Sequence, residues 1–186
     1  MKTLIIQNSP QHTASTVLIN ALHGFIEDLN VLPVCFVGKN YVNLEKSYWR
    51  HNIILIKSHS SIDSIIKMYG NKYKLFFVCS ERCEKKNDIY MIDNKYRKYE
   101  NVLIFDYNEL NETENNSLNE IVENMYTKLS NFLPNINLNK TLCIQRIKNM
   151  NYRYQQIKHL PFSFQDNFFH IHGSHRNRKD NDAKIN

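Results

Sequence analysis

Two short stretches of this chain carry residue types fit for chemistry. Lys57-Ser58-His59 sets an imidazole two residues from an ammonium, directly after the apolar run Ile53-Ile54-Leu55-Ile56. An imidazole titrates near neutrality, which suits it to take a proton from a hydroxyl, and the adjacent cation helps electrostatically. Read alone, such a histidine is also an ordinary surface residue near a helix cap. The second stretch, Pro10-Gln11-His12-Thr13-Ala14-Ser15-Thr16, lies between an apolar run at 3–6 and Val17-Leu18-Ile19. That order predicts a buried strand, a compact polar loop, and a helix that opens on hydroxyl residues. The first N–H groups of a helix have no partner within it and the dipole is positive there, so the junction is a ready anion site. Ser15 and Thr16 add side-chain donors. The plain alternative is an N-capped helix after a strand. A third group, Ser80-Glu81-Arg82, follows another apolar run. Its guanidinium is suited to grip a phosphate through two donors, or else to sit in a surface salt bridge.

Positioning these groups falls to a regular series of elements. Apolar runs at 3–6, 34–37, 53–56, 75–78 and 102–105 are short and do not alternate, as strands buried on both faces do not. Segments at 15–29, 60–69, 83–99 and 114–132 carry helical spacing or helix-forming residues. In the last, Leu118, Ile121, Val122, Met125, Leu129 and Phe132 form a helical ladder that stops at Leu133-Pro134. Alternating strands and helices predict an α/β three-layer sandwich around a central parallel sheet of about five strands. Ligands gather at the carboxyl ends of such strands. The polar residues at 9–16, 57–60 and 80–82, and Asp106, all follow directly on apolar runs. Beyond 135 the pattern loosens: 142–147 reads as a strand or a helix start, and 150–186 is rich in Asn, Arg, His and Tyr. No linker divides the chain. The expectation is a single domain over 1–186, with the core sheet and helices in 1–134 and a carboxyl-terminal segment at 135–186.

Bulk properties agree. A chain of 186 residues with 42% hydrophobic and 12% aromatic content supports one core. A net charge of +6 and a pI near 9.1 favour anionic partners. Part of the excess is local, in His175-Arg176-Asn177-Arg178-Lys179, a run that most often forms a solvated tail. The four cysteines show no paired spacing, so zinc is not expected, nor any other metal. No apolar run reaches membrane-spanning length, and the run before Gln7 is too short for a signal peptide, so a cytoplasmic protein is expected.

Taken in order, these pieces resemble the sulfotransferases that use 3′-phosphoadenosine 5′-phosphosulfate, a P-loop-like α/β family. Their loop after the first strand reads roughly P-[KR]-[ST]-G-[ST]-T, to which Pro10-Gln11-His12-Thr13-Ala14-Ser15-Thr16 is similar if one extra residue is allowed. Lys57-Ser58-His59 resembles their K-T-H motif, and Arg82 the arginine that binds the 3′-phosphate. The stretch from Leu103 to Leu110 is similar to a further strand of the form V-x-x-Y-E-x-L, and Phe132-Leu133-Pro134 to a helix closing on F-L-G. The resemblance covers roughly residues 3–134, with an echo from Gly173 to Lys179. The chain departs from the pattern where the family sets a loop Lys or Arg and finds Gln11 or His12, and where its loop Gly is Ala14. Tyr90 stands where a Ser is usual, and the carboxyl-terminal R-K-G triplet is absent.

The resemblance implies a P-loop NTPase-like layout and transfer of a sulfuryl group to a hydroxyl or amine on a small-molecule or glycan acceptor. It implies His59 as base, with Lys57 and His12 as charge stabilisers. Gln11, His12, Thr13, Ala14, Ser15 and Thr16 would line the cofactor, with Arg82, Arg176, Arg178 and Lys179 at its 3′-phosphate. A P-loop kinase or NTPase fits less well, because the loop has no glycine and no Lys before Ser15. Two other readings stay open. One is a member that kept the fold and binds a nucleotide or partner without turnover. The other is a nucleic-acid-binding protein using the basic tail with Tyr152, Tyr154, Phe168 and Phe169. Nothing in the residues specifies oligomeric state.

Overall fold

A computed structural model describes residues 1–10, 13–26, 30–31, 52–83, 91–113, 116–161 and 163–171. The apolar runs at 3–6, 53–56, 75–78 and 102–105 form strands β1 (Lys2–Asn8), β3 (Ile53–Ser58), β4 (Tyr73–Glu81) and β5 (Val102–Asp106). All pair in parallel, in the order β3-β1-β4-β5. A two-residue strand, β2 (Asn30–Val31), pairs parallel along the outer side of β3. The run expected as the second strand, at 34–37, lies outside the described residues.

Both faces of the sheet are covered, which is why its strands read as continuous apolar runs. Ile5, Leu55, Val78 and Phe105 face one side. Against them pack α1 (Ser15–Phe25), α3 (Leu118–Phe132) and α4 (Lys140–Ile157). Leu4, Ile6, Ile54, Ile56, Leu75 and Phe77 face the other side, under α2 (Ile62–Tyr69) and a 3₁₀ turn at Asn94–Lys98. Helices start where the side chains stop them fraying. Ser117 and Glu120 make a reciprocal capping box on α3, and Asn139 accepts from the Leu142 amide on α4 at 3.1 Å. α1 is the exception: its cap residue is Ala14, which has no side chain for the task and sits in the left-handed region at φ 61°.

Two expectations are narrowed here. The segment 83–99 yields the 3₁₀ turn Asn94–Lys98 among its described residues, with 84–90 outside them. The ambiguous stretch 142–147 is helix, because Cys143, Ile147, Met150 and Ile157 share one buried stripe in α4. α4 crosses α1 closely at Gly24, where an added Cβ would stand 2.6 Å from Cys143 Cα.

Topology then singles out one strand end. The step from β1 to β2 passes outward across β3, while every later step runs the opposite way. Right-handed crossovers put the first connection on one face and the later ones on the other. α1 accordingly lies on one face, with α2 and the 3₁₀ turn on the other. The chain leaves β1 toward α1, and it leaves both neighbours, β3 and β4, on the opposite side. The crevice such a split opens is where ligands bind in parallel α/β sheets.

Candidate functional site

At the carboxyl end of β1, side chains continue the alternation of the strands. Gln7 and Lys57 are register partners, and both point to the face that carries α1. Ser80, two residues past Val78, points the same way. All three are buried, as are Ser9, Thr13 and Ser15.

Ser9 is the hub that fixes the loop. Its Oγ accepts from Gln7 Nε2 at 2.6 Å and from the Ser80 amide at 2.8 Å, with Ser80 Oγ 2.9 Å away. Thr13 Oγ1 donates to the Pro10 carbonyl at 2.9 Å and lies 3.1 Å from Ser80 Oγ. The loop is thus tied to β4 at both ends of its short path. His59 joins the same hub, because its Nδ1–H donates to the Ser9 carbonyl at 2.7 Å. That bond fixes the tautomer and leaves the lone pair of the neutral ring on Nε2. Burial, with the nearby Lys57 charge, depresses the His59 pKa although the Ser9 bond pulls the other way. His59 is therefore neutral at neutral pH, the form a proton acceptor needs.

Lys57 is 1% exposed, and burial lowers its pKa to about 8. Among the described residues its Nζ has no hydrogen-bond partner; Ser15 Oγ and Gln7 Oε1 are buried and unpartnered too. Among the described residues the Lys57 ammonium and the Ser15 hydroxyl are thus donors without an acceptor, and Ser15 opens an uncapped helix whose dipole favours an anion.

Arg82 follows β4 and stacks its guanidinium 4.5 Å from the centre of the Tyr107 ring, half-buried. The neighbouring Glu81 points to the other face, where it pairs with Arg97 and accepts from the Ile92 amide. Thr16 sits in the first turn of α1, and its carbonyl accepts from Asn20 Nδ2 at 2.8 Å. No known family, curated protein or solved structure matches the chain.

Of the residues singled out in the sequence, Lys57, His59, Thr13, Ala14 and Ser15 meet around one strand end, with Thr16 in the adjoining helical turn and Arg82 at the end of β4. Gln11, His12, Arg176, Arg178 and Lys179 lie outside the described residues. Sequence reasoning placed Ser9 and Ser80 among the polar residues that follow apolar runs without giving them a role, and it missed Gln7. Strand alternation was the available signal for Gln7, since Ile5 and Gln7 share a face. Among the described residues no three His, Cys, Asp or Glu are placed to hold a metal, and no helix is long and apolar enough to cross a membrane.

Proposed function

We propose that this chain is a sulfotransferase-like enzyme with a P-loop-like anion site at the start of α1. It uses 3′-phosphoadenosine 5′-phosphosulfate and a hydroxyl or amine acceptor on a small molecule or glycan. The observation that carries the reading is the buried Lys57 ammonium, unpartnered among the described residues, on the strand next to the one that feeds an uncapped helix. A central strand feeding an anion-binding helix start is how P-loop proteins hold phosphate.

Each residue then has a task. Thr13, Ser15 and Thr16, with the first amides of α1, hold the 5′-phosphosulfate, and Lys57 balances its charge. Arg82, steadied on Tyr107, meets the 3′-phosphate. His59 takes the acceptor's proton at Nε2, while the Ser9 carbonyl on Nδ1 stabilises the imidazolium that results. The cofactor, when bound, supplies the sulfuryl group. Donors aimed at the charge on the departing phosphate lower the barrier in the manner of phosphoryl transfer.

Calorimetric titration with 3′-phosphoadenosine 5′-phosphate, with ATP for comparison, tests the reading. Binding selective over ATP and lost in both Arg82→Ala and Lys57→Met supports it. The absence of binding overturns it and leaves a scaffold without turnover. His59→Ala is expected to keep nucleotide affinity within about threefold and to lose turnover by at least 100-fold, the scale of general-base catalysis. A variant that retains full rate removes His59 from the mechanism.

A further inference from the structure

Gln7 and Lys57 stand opposite each other on neighbouring strands, as register partners of β1 and β3. Adjacent strands lie about 4.8 Å apart, and both side chains point to the face that carries α1. Both are buried. Gln7 Nε2 donates to Ser9 Oγ at 2.6 Å, which turns the amide and leaves Oε1 as its other polar atom. Among the described residues neither Gln7 Oε1 nor Lys57 Nζ has a hydrogen-bond partner, so the two do not bond to each other. One is only an acceptor and the other only a donor. Leaving either unmet in the interior is costly. The pair therefore asks two things of one ligand: an oxygen to accept from the ammonium and an O–H to donate to the amide. A fully ionised oxyanion supplies the first and sets its negative charge against Oε1. An oxyanion that keeps one proton supplies both. Sulfate esters have no such hydrogen at working pH, whereas a phosphate monoester carries one below its second pKa of about 6.

We propose that Gln7 is a specificity residue that selects a singly protonated phosphate monoester, whose P–OH donates to Gln7 Oε1 while a second phosphate oxygen accepts from Lys57. The inference rests on the anion site proposed above and adds the class of its ligand. Of the nucleotides in that proposal, 3′-phosphoadenosine 5′-phosphate presents a 5′-monoester and the phosphosulfate does not, so the pair favours the desulfated nucleotide.

Chemical-shift titration of the full chain with methyl phosphate and methyl sulfate, at about pH 5.5, isolates the hydrogen. Both ligands are then chiefly monoanions of one shape and differ by a single O–H. Methyl phosphate is expected to bind more tightly by about tenfold or more. Gln7→Met keeps the side chain's length and removes the acceptor, so the two ligands should bind it within about threefold of each other. A merely structural role for Gln7 weakens both ligands alike and leaves their ratio unchanged, which overturns the inference. Lys57→Met is expected to lose both. Equal affinities in the wild-type chain, lost together in Lys57→Met, assign the pair to a bridging water and overturn the inference while the anion site stands. That comparison decides even where Gln7→Met does not fold. Binding of neither ligand to the wild-type chain overturns the inference and the anion site together.

Discussion

Lys57 and Ala14 each hold a conformation or charge that the fold alone does not favour. Burial holds the lysine's pKa near 8, against 10.5 for an exposed lysine, so the unfolded chain binds the proton more tightly. Stability therefore rises as pH climbs from about 8 to about 10.5, by roughly 3 kcal/mol in the limit. Lys57→Met removes the buried charge at similar volume. At pH 7 it is expected to raise unfolding free energy by about 1–3 kcal/mol in a denaturant titration, and to abolish anion binding. Wild-type affinity for the anion should fall as pH passes 8, because the ammonium is lost. An affinity equal at pH 7 and pH 9 would sink Lys57 as the anchor. Under the proposed function, turnover is expected to have two limbs, rising as His59, depressed below 6.5, gives up its proton and falling again above 8. Ala14 carries a left-handed backbone that costs an L-residue about 1–2 kcal/mol. Ala14→Gly should raise the melting temperature slightly, since unfolded-chain entropy offsets part of the relief. Ala14→Val should lower it by several degrees, and a shift of the same sign in both variants would exclude backbone strain as the cause.

Among the elements, α1 and α4 come into close backbone contact where they cross. A Cβ on Gly24 would stand 2.6 Å from Cys143 Cα and 3.1 Å from the Leu142 carbonyl, and backbone atoms do not rotate away. Gly24→Ala is expected to destabilise by about 1–3 kcal/mol in urea with an unchanged slope, the cost of separating two packed helices. The elements also differ in how plainly the sequence announces them. β1, β3, β4 and β5 are legible because strands buried on two faces must be apolar throughout, and α3 because its ladder is unbroken to Phe132. α4 is obscure because Asn149, Asn151 and Tyr152 interrupt its polar face with weak helix formers, leaving only the stripe from Cys143 to Ile157. In the site, Lys57, His59 and Ser15 are legible from type and position. Ser9 and Ser80 are legible as polar residues after apolar runs, but their meeting is not, since it depends on the β1–β4 register rather than on any local pattern.

At the scale of the whole molecule, one strand organises everything. β1 lies at the centre, between β3 and β4, and sends the chain to the face its neighbours avoid. The two ends of its strands carry different chemistry: hydroxyls, His59 and a buried ammonium at the carboxyl end, and apolar residues with Lys2 and Lys74 at the amino end.

The Ser9–Ser80 contact joins residues 71 apart in the chain, and His59 reaches Ser9 across 50. Closing such loops before any long-range pairing repays the entropy is slow. The loop at 9–14 therefore takes its shape only after β1 has found both neighbours, however early its own residues leave the ribosome. During refolding, helical signal and apolar burial should recover before affinity for 3′-phosphoadenosine 5′-phosphate does, as stopped-flow measurement of the two would reveal. Time order is thus written into the topology: a half-folded copy of this chain is expected to be greasy and helical before Ser9, Ser80 and His59 have met.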